Sequence, residues 1–123
     1  MKTPKKGIAV KKIFFMGLFL LITVFSISAQ NLPYISIVND TGYEIYCIYI
    51  SPSDSDEWGE NLLEDNTLLE GETFICQLLH PLSIVSVYDI LLEDEDGDLY
   101  YKWEVNAANN SRIVFTLDDI DLD

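Results

Sequence analysis

The chain has 123 residues, 49% of them hydrophobic, and sets 21 acidic residues against seven Lys and Arg, for a formal net charge of −14. Such an excess of negative charge repels nucleic acid and anionic membrane; it serves solubility first and would otherwise favour cations or basic partners. Two cysteines permit at most one disulfide, and a single histidine, His80, without Cys/His spacing around it gives no zinc-type site.

The first 29 residues have the layout of a secretory signal peptide. Lys2, Lys5, Lys6, Lys11 and Lys12 form a basic start, and an apolar run from Ile13 to Ile27 follows, ending in small residues. The run is shorter than the roughly 20 residues that span a bilayer comfortably, so cleavage after Ala29 is favoured over a retained anchor. Contact with membrane is then confined to this segment before cleavage. Five of the seven cations leave with it, and residues 30–123 keep only Lys102 and Arg112 against all 21 acidic residues. The segment that remains is long enough for one domain with a core of its own and too short for two.

Along residues 30–123 the pattern is that of strands. "YISIV" (34–38) alternates Ile35 and Ile37 with more polar neighbours and ends in the turn signal "NDTG". "YEIYCIYI" (43–50) is dense in β-branched and aromatic residues on both faces, which predicts a central strand. "GETFICQLL" follows a turn at Gly71 and puts Phe74, Cys76 and Leu78 on one face. A long strand is expected over 82–93, then a break at "DEDGD". "LYYKWEV" alternates most clearly, with Leu99, Tyr101, Trp103 and Val105 on one side and Tyr100, Lys102 and Glu104 on the other. After "AANNS", "RIVFTL" directs Ile113, Phe115 and Leu117 inward. Six or seven mostly antiparallel strands without helix-period segments predict an all-β, β-sandwich-like domain over 30–123, behind a signal-peptide helix over 1–29. The hairpin joining 82–93 to 98–106 is its most local feature.

Cys47 and Cys76 both sit at positions expected to face inward. A bridge between them would restrain the unfolded chain by about 3 kcal/mol if the geometry allows; two buried thiols are the alternative.

Asp94, Asp96 and Asp98 alternate in a tight loop, as hard cations such as calcium prefer. The EF-hand template fails, however: with Gly97 at its sixth position, the first and twelfth would be Leu92 and Trp103. An acidic Asp-Gly hairpin turn accounts for the same residues, and no other cofactor is indicated. In "YISPSDSDEWGENLL", Asp54 and Glu57 stand at capping-box spacing. This predicts a short helical turn that lays Trp58, Leu62 and Leu63 on one side as a lid over the sandwich. The alternative is a contact surface for a ligand or partner built from Asp54, Asp56 and an exposed Trp58.

Nothing points to catalysis. His80 is held by Pro81 in extended or turn backbone, and neither a Gly-x-Ser-x-Gly elbow nor a phosphate-cradling glycine loop is present.

Taken together, "IVNDTGYEIYCIYISPSDSDEWGENLL", "LLEGETF" and "YDILLEDEDGDLY" resemble a family of small exported bacterial domains of uncharacterised function. Its members share an N-x-T-G-Y opening, an S-P-S-x-S-D-x-W-G-x-x-L-L loop, a glycine ahead of the next strand and a Y-D-I…D-x-D-G-D-x-Y hairpin. Similar chains sometimes carry an argininosuccinate lyase label, which does not suit a short β chain, since that lyase is large and mostly helical. The resemblance implies a β-sandwich-like exported domain and marks Ser51 to Leu63 as a family feature; it implies no activity, substrate or catalytic residue. Cys47 and Cys76 fall outside its motifs.

The expectation is thus an exported protein of the periplasm or the extracellular space, a binding or interaction module rather than an enzyme, with its protein or ligand partner unspecified. A calcium-stabilised structural or adhesive envelope component is the second reading, and a small secreted hydrolase the third. Intact-mass analysis of protein recovered from envelope or medium should give a chain beginning at Gln30; full-length mass in exported material would refute cleavage.

Overall fold

A computed structural model describes residues 32–122, so the expected signal segment lies outside the described residues. Seven strands follow in order: β1 (Tyr34–Asp40), β2 (Ile45–Pro52), β3 (Thr73–Gln77), β4 (Val87–Asp94), β5 (Leu99–Asn106), β6 (Arg112–Thr116) and β7 (Ile120–Asp121), with a 3-10 turn at Leu117–Asp119. They form two sheets, ordered β3-β1-β6 and β2-β4-β5-β7. All pairings are antiparallel except β1 with β6. The domain is all-β, with two sheets arranged as a β-sandwich.

Strand alternation builds the core. Ile35 and Ile37 of β1 and Ile113 and Phe115 of β6 meet Ile48 of β2, Ile90 and Leu92 of β4 and Tyr100 of β5. Each of these is at most 5% exposed, and fully burying such side chains stabilises by about 1.5–3 kcal/mol apiece. The four-stranded sheet also buries part of its outer face, where Tyr49 and Leu91 pack with Trp58, flanked by Cys47, Leu99 and Tyr101. That second cluster explains why β4 is apolar on both faces.

At the end of β1 the "NDTG" signal folds around Asn39, which is fully buried. Its Oδ1 accepts from the backbone N–H and the hydroxyl of Thr41, while its Nδ2 donates to the carbonyls of Tyr43 and Leu68. A buried side-chain amide survives without water because its donors and acceptor are met in this way.

Several expectations are corrected. β2 is an edge strand, not a central one. It looked central because the loop after it returns along its free edge: the N–H of Leu62 donates to the carbonyl of Ile48, Asn61 Oδ1 accepts from the N–H of Ile48, and Leu68 bridges to Ile45. A covered edge carries the same apolar residues as an interior strand. β4 begins at Val87, since Pro81 opens a turn in which the N–H groups of Ile84 and Val85 donate to its carbonyl. Leu117 is 49% exposed because the chain turns into the 3-10 segment there instead of continuing β6.

No disulfide joins Cys47 and Cys76; both are thiols. The reason is topological. Cys47 packs in the outer cluster of one sheet, whereas Cys76 packs against the main core from the other. Burial pushes the Cys76 thiol above its ordinary pKa, which lowers its thiolate fraction. Thiol titration of the unfolded, unreduced protein should find two thiols per chain, with Cys76 alkylated more slowly than a free cysteine while the protein is folded. Finding none would restore the bridge.

Candidate functional site

The acidic hairpin turn between β4 and β5 gathers Asp94, Asp96 and Asp98, whose carboxylates offer oxygens within 4.8 Å of one another. Their roles differ. Asp94 is 2% exposed, and its Oδ1 accepts from the backbone N–H groups of Asp96 and Asp98 at 2.9 and 3.0 Å. Its Oδ2 accepts from the Tyr100 hydroxyl at 2.7 Å. Burial, together with the hydrogen bond to Asp94, holds the Tyr100 phenol far above its ordinary pKa, so it remains a donor. Asp94 therefore closes the turn from within, while Asp96 and Asp98 point to solvent. Gly97, at φ 85°, supplies the left-handed residue that this turn requires.

The loop after β2 contains a hydrogen-bonded Ser-type turn, in which Ser55 Oγ accepts from the N–H of Glu57, but not the expected helical turn. Gly59, at φ 84°, interrupts it. The three expected lid residues separate: Trp58 enters the outer cluster, whereas Leu62 and Leu63 pack into the main core. Trp58 is 3% exposed and hence a packing residue, while Asp54 and Asp56 lie exposed beside it. The contact surface expected from Asp54, Asp56 and Trp58 is therefore not assembled.

A different site is assembled at the open side of the sandwich. Between Tyr88 and Ile90 of β4 the register with β5 shifts, so that Trp103 and Glu104 together oppose Asp89. This is a β-bulge, and Glu104 takes the strained value φ 55°. Asp89 holds it in place. Its carboxylate, on a residue 2% exposed, accepts from the Glu104 N–H at 2.8 Å and from Ser53 Oγ at 2.7 Å, both through Oδ1. The bulge also ends the alternation of β5: Tyr101 and Trp103 share the outer face, but Val105 returns to the core side with Tyr100.

The turned-out segment lines a groove of about 560 Å³ between β5 and β6. Trp103, 44% exposed, stacks on Tyr101 at 5.1 Å with the rings 8° apart, and Trp58 braces it at 5.8 Å. Glu104, Asn106, Asn110 and Arg112 supply polar groups along the groove. Lys102 and Asp119 pair within it at 3.1 Å, the ammonium lying 5.4 Å from the centre of the Phe115 ring. Asp119 Oδ2 in turn accepts from the Thr116 N–H, so both its oxygens are engaged. Lys102 and Arg112, the only Lys and Arg among the described residues, thus line one groove.

Sequence reasoning did not find this site. Strict alternation assigned Trp103 and Val105 to one face, and the bulge is specified by Asp89, fifteen residues from Glu104. The one legible signal was Trp103 and Arg112 as an aromatic and a cation in an acidic chain. No family model, curated protein or solved structure matches the chain.

Replacing Asp94 by Ala leaves three donors unmet and should cost on the order of 3 kcal/mol in chemical denaturation. An Asp96→Asn, Asp98→Asn double variant should stay within about 0.5 kcal/mol of the parent. At matched ionic strength, calcium should raise Tm no more than magnesium does; a calcium-specific rise lost in the double variant would make the turn a cation site.

Proposed function

We propose that this chain is an exported binding module of the bacterial envelope that takes its ligand in the groove between β5 and β6. One observation carries the reading: a strained, non-glycine bulge, held by a buried carboxylate, turns a braced tryptophan into a groove of about 560 Å³, beside both cations of the described residues. Backbone strain persists only where the surroundings over-determine it, and such strain gathers at ligand sites. The resemblance to small exported bacterial domains and the basic, apolar start of the chain support export.

A binder suits this groove better than a hydrolase. Its two carboxylates are Glu104 and Asp119, and Asp119 is held by Lys102 and by the backbone of Thr116. A general acid and base pair needs two carboxyl groups able to exchange protons with substrate. The calcium-stabilised reading is weakened because both oxygens of Asp94 already accept hydrogen bonds.

The reading is tested by screening a chemically diverse soluble library against isotope-labelled protein by NMR. Amide and indole shifts on binding should cluster at Trp103, Glu104, Asn106 and Arg112. Trp103→Ala should weaken the hits at least tenfold while lowering stability by about 1–3 kcal/mol, since only about half of the side chain is buried. Shifts that cluster elsewhere, at the acidic turn for example, would overturn it.

A further inference from the structure

The chemistry of the β5–β6 groove narrows the class of its ligand. The exposed face of Trp103 is flat, apolar and rigid, being stacked on Tyr101 and braced by Trp58. Rigid aromatic platforms offer large contact area at little entropic cost, and the C–H face of a sugar ring is a flat apolar surface of matching size. Around the platform stand groups suited to hydroxyls. Asn106 Oδ1 accepts from the N–H of Ala108, which leaves its Nδ2 to donate outward. Asn110 Nδ2 donates to the Asn106 carbonyl, which leaves its Oδ1 to accept, and the exposed Glu104 carboxylate accepts as well.

Arg112 is the most informative residue. Every acidic residue of the chain except Asp123 lies in the described part, yet none of those pairs with the Arg112 guanidinium. Lys102, by contrast, is already neutralised by Asp119. An unpaired guanidinium in an otherwise acidic domain presents a planar fork of donors that matches a carboxylate in bidentate geometry. Over the rest of the surface such a ligand would be repelled; in the groove Lys102 and Arg112 offset Glu104 and Asp119, and at physiological salt acidic residues farther off are screened beyond roughly 8 Å. The groove volume of about 560 Å³ corresponds to about nineteen water volumes, the bulk of roughly three sugar rings. A peptide strand added to the β5 edge fits less well, because the bulge at Trp103 and Glu104 breaks the two-residue period that strand addition reads.

We propose that the groove binds an acidic saccharide, with the ring face of a uronic acid residue on Trp103 and its carboxylate on Arg112. This rests on the groove being the binding site. The test titrates the labelled protein in its exported form with three probes: a trisaccharide of galacturonic acid, the corresponding neutral trisaccharide of galactose, and tetraglutamate. The uronate should bind at least tenfold more tightly than the neutral sugar and shift the Trp103 indole and Arg112 signals. Arg112→Gln should reduce uronate affinity to that of the neutral sugar, and Trp103→Ala should abolish binding of both, with the fold checked by the unchanged amide spectrum away from the groove. Equal affinity for the two sugars, equal or tighter binding of tetraglutamate, or the absence of uronate binding would overturn the proposal. If other library compounds still shift the groove when uronate does not, only the ligand class is wrong; if none does, the groove reading fails with it.

Discussion

A buried carboxylate on β4 organises the side of the molecule on which the groove lies. Asp89 is 2% exposed, and taking an ion out of water costs several kcal/mol unless donors replace the lost hydration. Its Oδ1 has two, the hydroxyl of Ser53 and the N–H of Glu104. Those donors come from separate segments, the loop leaving β2 and the bulge in β5. Meeting the needs of one buried charge therefore fastens the loop to the sheet and holds Glu104 at a φ that a non-glycine residue otherwise avoids. Asp94, five residues along the same strand, does for the hairpin turn what Asp89 does for the bulge.

The aromatic layer depends on that arrangement. A four-stranded sheet with a wet outer face would not need Leu91 or Tyr49 there, yet both are buried under Trp58. The loop brings Trp58 down onto the sheet, and Trp58 then supports Tyr101 and Trp103 from the side. Burial and the neighbouring Cys47 push the Tyr49 hydroxyl up to about 12, so this layer carries a neutral phenol at any ordinary pH. Packing on the outer face thus turns a solvent-exposed tryptophan from a mobile side chain into a fixed surface.

Charge acts on a different scale. Dispersed acidic residues favour solubility and disfavour contact with anionic surfaces. Against that background the position of two cations carries more information than it would in an average protein. One is consumed by Asp119 and the Phe115 ring; the other remains available at the groove. The loop that raises the most suspicion in the sequence, with its serines and acids around Trp58, packs over the outer face of the four-stranded sheet, and the proposed groove lies instead between β5 and β6.

By itself the sequence determined the all-β class, the alternation that buries Ile35, Ile37, Ile113 and Phe115, and the Asp-Gly hairpin. It could do so because each depends on residues two or a few positions apart, where strand periodicity and turn chemistry act. It also pointed to burial of Trp58, since a large aromatic among polar residues gains most by burial, but not to the separation of Trp58 from Leu62 and Leu63. Only the tertiary structure decided that β2 is an edge, that Cys47 and Cys76 face different clusters, and that β5 changes face at Glu104. Those features are set by partners far along the chain: Leu62 and Leu68 against β2, Asp89 against Glu104, one sheet against the other. A strand's own residues specify that it is buried, but the element that buries it, and so the face left open, is chosen by which distant segment fills the space.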